Sequence, residues 1–191
     1  MDLRPQDVVI VLKLLARGSS PWSYSKLGEE LGMSASHVFA SVDRAQTSRL
    51  LDFAAIAPRA RLARGAKSSR DRQAVLPSPN RGNLKEFLIH GVKYAFPVER
   101  GAPTRGIPTA EAAPPLNRHF SQDFPLPPVW PHAAGSVRGV AFSPLYKNVP
   151  EAAMRDPKLY ELLALVDAIR EGRAREREIA IRELTAKIDS R

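Results

Sequence analysis

The chain has 191 residues, 43% hydrophobic and 26% charged, as expected of one globular domain or a small domain with appendages. Its net charge of +9 and pI of about 10.2 favour a polyanionic partner, nucleic acid first, over an acidic protein. With no cysteine, disulfides, thiolate nucleophiles and Cys-based zinc sites are excluded, and a cytoplasmic location fits.

Composition divides the chain into three regions. Residues 1–72 carry twelve Lys/Arg against seven Asp/Glu, residues 73–154 eight against five, and residues 155–191 nine against eight. The positive excess therefore lies toward the N-terminus. The opening MDLRPQDVVIVLKLLARG has helically spaced apolar residues interrupted by Lys13 and no small-residue cleavage site after them. It reads as neither a signal peptide nor a membrane span.

Pro5 suits the first turn of a helix whose Val8, Val9, Val11, Leu12 and Leu15 face a core, and Gly18–Pro21 end it. Ser23 can cap a second helix running through Leu31, with Leu27 and Leu31 on one face. Gly32 ends that helix, and Ser34 can cap a third to about Arg49, with Val38, Val42 and Ala45 as its buried stripe. Residues 58–72, PRARLARGAKSSRDR, carry six basic side chains and one acid, and read as either a disordered basic linker or a β-wing.

Asn80 or Asn83 can cap a short helix with Leu84, Phe87 and Leu88 inward and Gly91 at its end. Val92–Phe96 then alternates like a strand. Eleven prolines between Pro97 and Pro150 exclude long helices, yet Phe120, Phe124, Trp130, Phe142 and Tyr146 argue for an ordered, irregular segment wrapping the core. Asp156 and Pro157 start a helix with the stripe Leu159, Leu162, Leu163, Val166, Ile169. After Gly172, Ile181, Leu184 and Ile188 form a narrow stripe among alternating charges, suited to docking on a second subunit or on the chain's own domain.

The stretch 24–46 fills the slots of a helix-turn-helix. Leu27 and Leu31 supply core contacts, Gly28 a close approach, Gly32 the turn, Met33 a core plug, Ser34 a cap and Val38 an anchor. KLGEELGMSASHVFASVDRAQTSRLL resembles the winged helix-turn-helix of bacterial transcription regulators, particularly the MarR-like group, although Ser48–Leu51 stand where that group has a short Gly-Leu segment. HGVKYAFP, PTRGIPTA and LYELLALVDAIREGRARERE are similar to a family of largely uncharacterised bacterial proteins, a likeness that implies no activity.

A helix-turn-helix would set the third helix in the major groove of double-stranded DNA, with Ser36, His37, Ala40, Ser41 and Arg44 outward. Ser36, His37 and Arg44 can donate to base edges, and Arg44 to a phosphate. Ser23, Ser25, Lys26 and the Ser34 cap are placed for the backbone, and Arg61, Arg64, Lys67 and Arg70 would join them if 58–72 is a wing.

Enzyme readings have little support. His37, His90, His119 and His132 are the histidines; His119, Asp123 and His132 lack ligand-type spacing, and RGAPTRG lacks the context of a phosphate loop. No nucleophile elbow, zinc-protease motif or paired-carboxylate arrangement appears. The expectation is a mainly α protein without metal or cofactor: a winged helix-turn-helix over 1–76, a proline-rich wrapping segment with little β over 77–154, and C-terminal amphipathic helices over 155–191 that hold a homodimer. It is expected to be a cytoplasmic, sequence-specific transcription regulator whose middle can receive a ligand or protein through Tyr94, Phe96, Trp130 and Tyr146. The alternative is an antitoxin-like or other protein-binding module whose middle segment clamps a partner.

Overall fold

The computed structural model describes residues 2–52, 76–120 and 125–190. Three helices come first: α1 (Pro5–Arg17), α2 (Tyr24–Leu31) and α3 (Ala35–Thr47). Pro5 occupies the first turn of α1, where its missing N–H costs nothing. Asp7 accepts the Arg4 amide at 2.8 Å. Ser23 and Ser34 cap α2 and α3 by accepting the amides of Lys26 and His37, each at 3.2 Å.

After α3 the chain leaves the described residues and returns beside its point of exit. Leu51 pairs antiparallel with Pro79, the Asp52 amide donates to the Ser78 carbonyl, and the Asn80 amide to that of Leu50. The basic stretch 58–72 lies outside the described residues, but both ends of the segment that carries it are fixed next to the end of α3.

Asn80 caps α4 (Arg81–Glu86) by accepting the Asn83 amide. The helical path continues through a π-turn (Phe87–Gly91) into α5 (Val92–Ala95). The expected strand at Val92–Phe96 is therefore corrected to helix. Gly91 is packed against the Phe87 ring, and the helix already begun at Arg81 propagates past it by widening one turn.

The proline-rich region builds a three-stranded sheet closed on itself: β1 (Arg100–Pro108), β2 (Pro128–Pro131) and β3 (Val137–Phe142). β1 runs antiparallel to both others, with Ile107 opposite Trp130 and Thr104 opposite Gly139, while β2 and β3 are parallel. Pro108, Pro128 and Pro131 stand at strand ends, and Pro103 borders the register shift in β1, where a missing donor is tolerated. A side chain at Gly106 or Gly139 would overlap the carbonyl of Trp130 or Pro127, so glycine permits the closure.

The C-terminal third forms α6 (Val149–Arg155), α7 (Pro157–Glu171) and α8 (Ala174–Asp189). Asp156 caps α7 by accepting the amides of Lys158 and Leu159. From Leu162 to Arg170 α7 is buried on every side, as befits a helix packed against α1, α5, α6 and α8 together. One hydrophobic core runs from Val8 in α1 through Leu84, Trp130 and Phe142 to Ile188 in α8. Burying each such apolar side chain is worth about 1.5–3 kcal/mol.

Polar contacts fix the sheet to α7. The buried Asp167 carboxylate accepts from the Trp130 indole (2.7 Å), the Thr109 hydroxyl (2.8 Å) and the Arg170 guanidinium (2.7 Å). Arg170 also donates to the carbonyls of Phe96, Pro97 and Ser143. The Tyr160 hydroxyl donates to the Pro108 carbonyl at 2.6 Å, and burial pushes its phenol up to about 12. Among the described residues no helix is long and apolar enough to cross a membrane.

Candidate nucleic-acid interface

α2 and α3 meet at a tight turn that the sequence dictates locally. Gly32 adopts the left-handed conformation at φ 64°, which glycine tolerates without steric cost. The Met33 amide donates to the Gly28 carbonyl at 2.8 Å, and a methyl group on Gly28 would overlap the Met33 carbonyl. From across the fold the Asn148 amide group donates to the Gly32 carbonyl at 2.6 Å and to that of Leu31 at 3.3 Å. The turn is thereby tied to the start of α6.

α3 lays Val38, Val42 and Ala45 into the core and turns Ser36, Phe39, Asp43 and Thr47 to solvent, with Ala40 half-buried between them. These outward residues fall at i, i+3, i+4, i+7 and i+11, one stripe of a helix. Phe39 is 58% exposed yet not isolated. Its ring packs edge-on against Tyr24 at 5.4 Å, and Tyr24 against Trp22 at 5.2 Å. Burial pushes the Tyr24 phenol above its usual range. No acidic residue stands in the first turn of α2 or α3, so the exposed amide ends at Ser23–Lys26 and Ser34–Ser36 present partial positive charge without opposition.

Ser23, Ser25, Lys26, Ser34 and Ser36 are all exposed. His37 is half-buried, its ring against Tyr146 at 6.1 Å and its Nε2 3.4 Å from the Gln6 side-chain nitrogen. Two other expectations are corrected. Ser41 is fully buried and Arg44 is 8% exposed, because both turn toward α1. There Asp7 accepts from Arg44 Nε at 2.8 Å and from Nη2 at 2.6 Å, while Nη2 also donates to Ser41 at 2.9 Å. The hydrogen bonds that Arg44 donates to Asp7 raise its guanidinium further above the ordinary range, outweighing burial. Neither side chain can reach a base while that pair is intact. Arg61, Arg64, Lys67 and Arg70 lie outside the described residues.

Phe39 and Asp43 are the residues that sequence reasoning missed. At about 100° per residue Asp43 lies well round the helix from Val38, Val42 and Ala45, and Phe39 about a quarter turn from them, outside the buried stripe that already contained the signal.

The proposed partner residues of the middle region separate. Trp130 is fully buried and bonded to Asp167, so it cannot clamp a partner, a correction forced by the core it completes. Phe96 packs on Phe87 at 6.3 Å, and Tyr146 backs His37. Tyr94 alone of the four is largely exposed, at 77%, with the Lys93 ammonium over its ring.

The α8 stripe is also spoken for. Leu184 and Ile188, with Ala180 beside them, are fully buried within the chain and Ile181 is half-buried, so with α8 packed on α7 the stripe docks on the chain's own domain and not on a second subunit, a correction to the expected dimer contact. Among the described residues no group of three or more His, Asp and Glu side chains could hold a metal ion; His119 is hydrogen-bonded to Glu183 at 3.0 Å. Comparison of the chain with family models, curated proteins and solved structures finds no match.

Proposed function

We propose that the chain is a cytoplasmic, sequence-specific DNA-binding protein that regulates transcription, with α3 set in the major groove. One observation carries this reading. The α2–Gly32–α3 unit is locked from behind by Asn148 and by Asp7–Arg44, while the outer stripe of α3 and the amide ends of both helices stay open to solvent. The net charge of +9 supplies the attraction to phosphate that such a face requires. The six basic residues of 58–72 would add to that attraction if their segment is a wing.

The competing reading, a module whose middle segment clamps a partner protein, keeps Tyr94 but loses Trp130 to the core. A dimer of this chain would need a surface other than the α8 stripe, and two-fold pairing would then set recognition helices roughly 34 Å apart.

Fluorescence anisotropy tests the proposal. The full chain is titrated onto the duplex upstream of its own gene and onto a scrambled duplex across a salt series. The expected result is an affinity that falls steeply with salt and a preference of at least ~10³-fold for the upstream duplex. Equal, weak binding to both would reduce the charge to a generic attraction and end this reading.

A further inference from the structure

We infer that Phe39 and Asp43 set the sequence preference of this face, Phe39 by packing on the C5-methyl group of thymine and Asp43 by accepting from the N4 amino group of cytosine. The inference rests on the DNA-binding proposal and goes beyond it by naming the bases read.

The chemistry of the outward stripe is unusual for a basic chain. Between Ser36 and Thr47 it offers Ser36, Phe39, Ala40 and Asp43, and not one cation. Arg44, the basic residue of this helix, is consumed by Asp7. A helix face so composed gains little from phosphate, and Asp43 is repelled by it at every sequence. The carboxylate is offset only where it meets a donor, and cytosine N4 is the major-groove donor a carboxylate takes. Phe39 and Ala40 present apolar surface at adjacent positions, and the thymine methyl is the apolar group that groove offers. Phe39 is also held in place. Tyr24 and Trp22 form a ladder of edge contacts behind it, so little side-chain freedom is lost when a base pair covers the ring.

The experiment first selects duplexes with the full-length protein from a random 20-base-pair pool. In the selected sites each thymine is replaced in turn by uracil and each cytosine by 5-methylcytosine, changes that remove or add the C5-methyl alone. Removal of the methyl at the read thymine is expected to weaken wild-type binding about fourfold, the value of burying one methyl-sized apolar group. Phe39→Ala should bind the thymine and uracil duplexes equally, and Phe39→Leu should retain part of the difference. Phe39 is mostly exposed, so these variants keep the fold. Selection repeated with Asp43→Asn should move one preferred base from cytosine toward adenine, the base whose N6 and N7 an amide pairs.

If wild type ignores every methyl, or Phe39→Ala discriminates as wild type does, the assignment of Phe39 is overturned. If Asp43→Asn selects the same site, that of Asp43 is overturned. In each of these cases DNA reading itself stands. Failure to enrich any duplex removes the DNA reading and this inference together, and leaves the aromatic face to a protein partner.

Discussion

Asp7 in α1 and Arg44 in α3 form a buried, two-bond ion pair with oxygen–nitrogen distances of 2.6 and 2.8 Å. The pair holds α1 against α3, and it connects residues 37 positions apart. Breaking it from one side leaves the other charge buried and unpaired, which costs about 3–5 kcal/mol. Arg44→Ala is thus expected to lower the melting temperature by roughly 10 °C and, where α3 reads DNA as proposed, to weaken that binding through the fold. Replacing both residues by apolar ones, Asp7→Leu with Arg44→Met, should recover most of that stability. Calorimetry on wild type and the two variants decides it: an Arg44→Ala protein that melts like wild type would return Arg44 to the surface.

Gly28 controls the approach of α2 to the turn. Alanine there meets the backbone carbonyl of Met33, which cannot swing aside as a side chain could. Gly28→Ala should destabilise by about 1–3 kcal/mol, the usual cost of overpacking. Ala40→Gly, on the half-buried outer side of α3, should cost only about 1 kcal/mol through helix propensity. Urea denaturation of both variants measures the contrast, and equal losses would contradict the close contact.

Lys13 joins three elements through ion pairs with Asp156 at 2.7 Å and Glu30 at 2.9 Å. Burial alone would raise both carboxyl pKa values, but hydrogen bonds from Lys13, with Arg17 at Glu30 and the α7 amides at Asp156, pull them below their ordinary values. A depressed carboxyl pKa adds stability above the unfolded-state values of 4.5 and 3.8, and that stability is lost as pH falls through the lower folded values. Lys13→Met should therefore cost roughly 2 kcal/mol at pH 7 and progressively less toward pH 3. A gap between wild type and variant that stays constant with pH would count against these pairs.

Leu184 is fully buried in the α7–α8 contact. Leu184→Ala should cost about 2–5 kcal/mol. Because the lost contacts lie within one chain, the effect of the substitution on the melting temperature should be independent of protein concentration. A loss that grows on dilution would mean that α8 packs between subunits instead.

Local rules extend over about one helical turn, and within that range the sequence alone determined the structure. Ser23, Ser34, Asn80 and Asp156 cap the helices that follow them because a side-chain oxygen three residues or fewer from an unpaired amide needs no distant help. Gly32 turns the chain, and Val38, Val42 and Ala45 face inward, for equally local reasons. Only the tertiary structure decided what each polar residue does at the edge of a stripe. Arg44 turns inward because Asp7 supplies a carboxylate there, and Trp130 is core because Asp167 accepts its indole N–H. The α8 stripe meets its own α7, where Ala180, Leu184 and Ile188 are fully buried. Helical periodicity identifies which side of a helix is apolar, but a charge or an aromatic ring at its margin goes where a partner many residues away satisfies it.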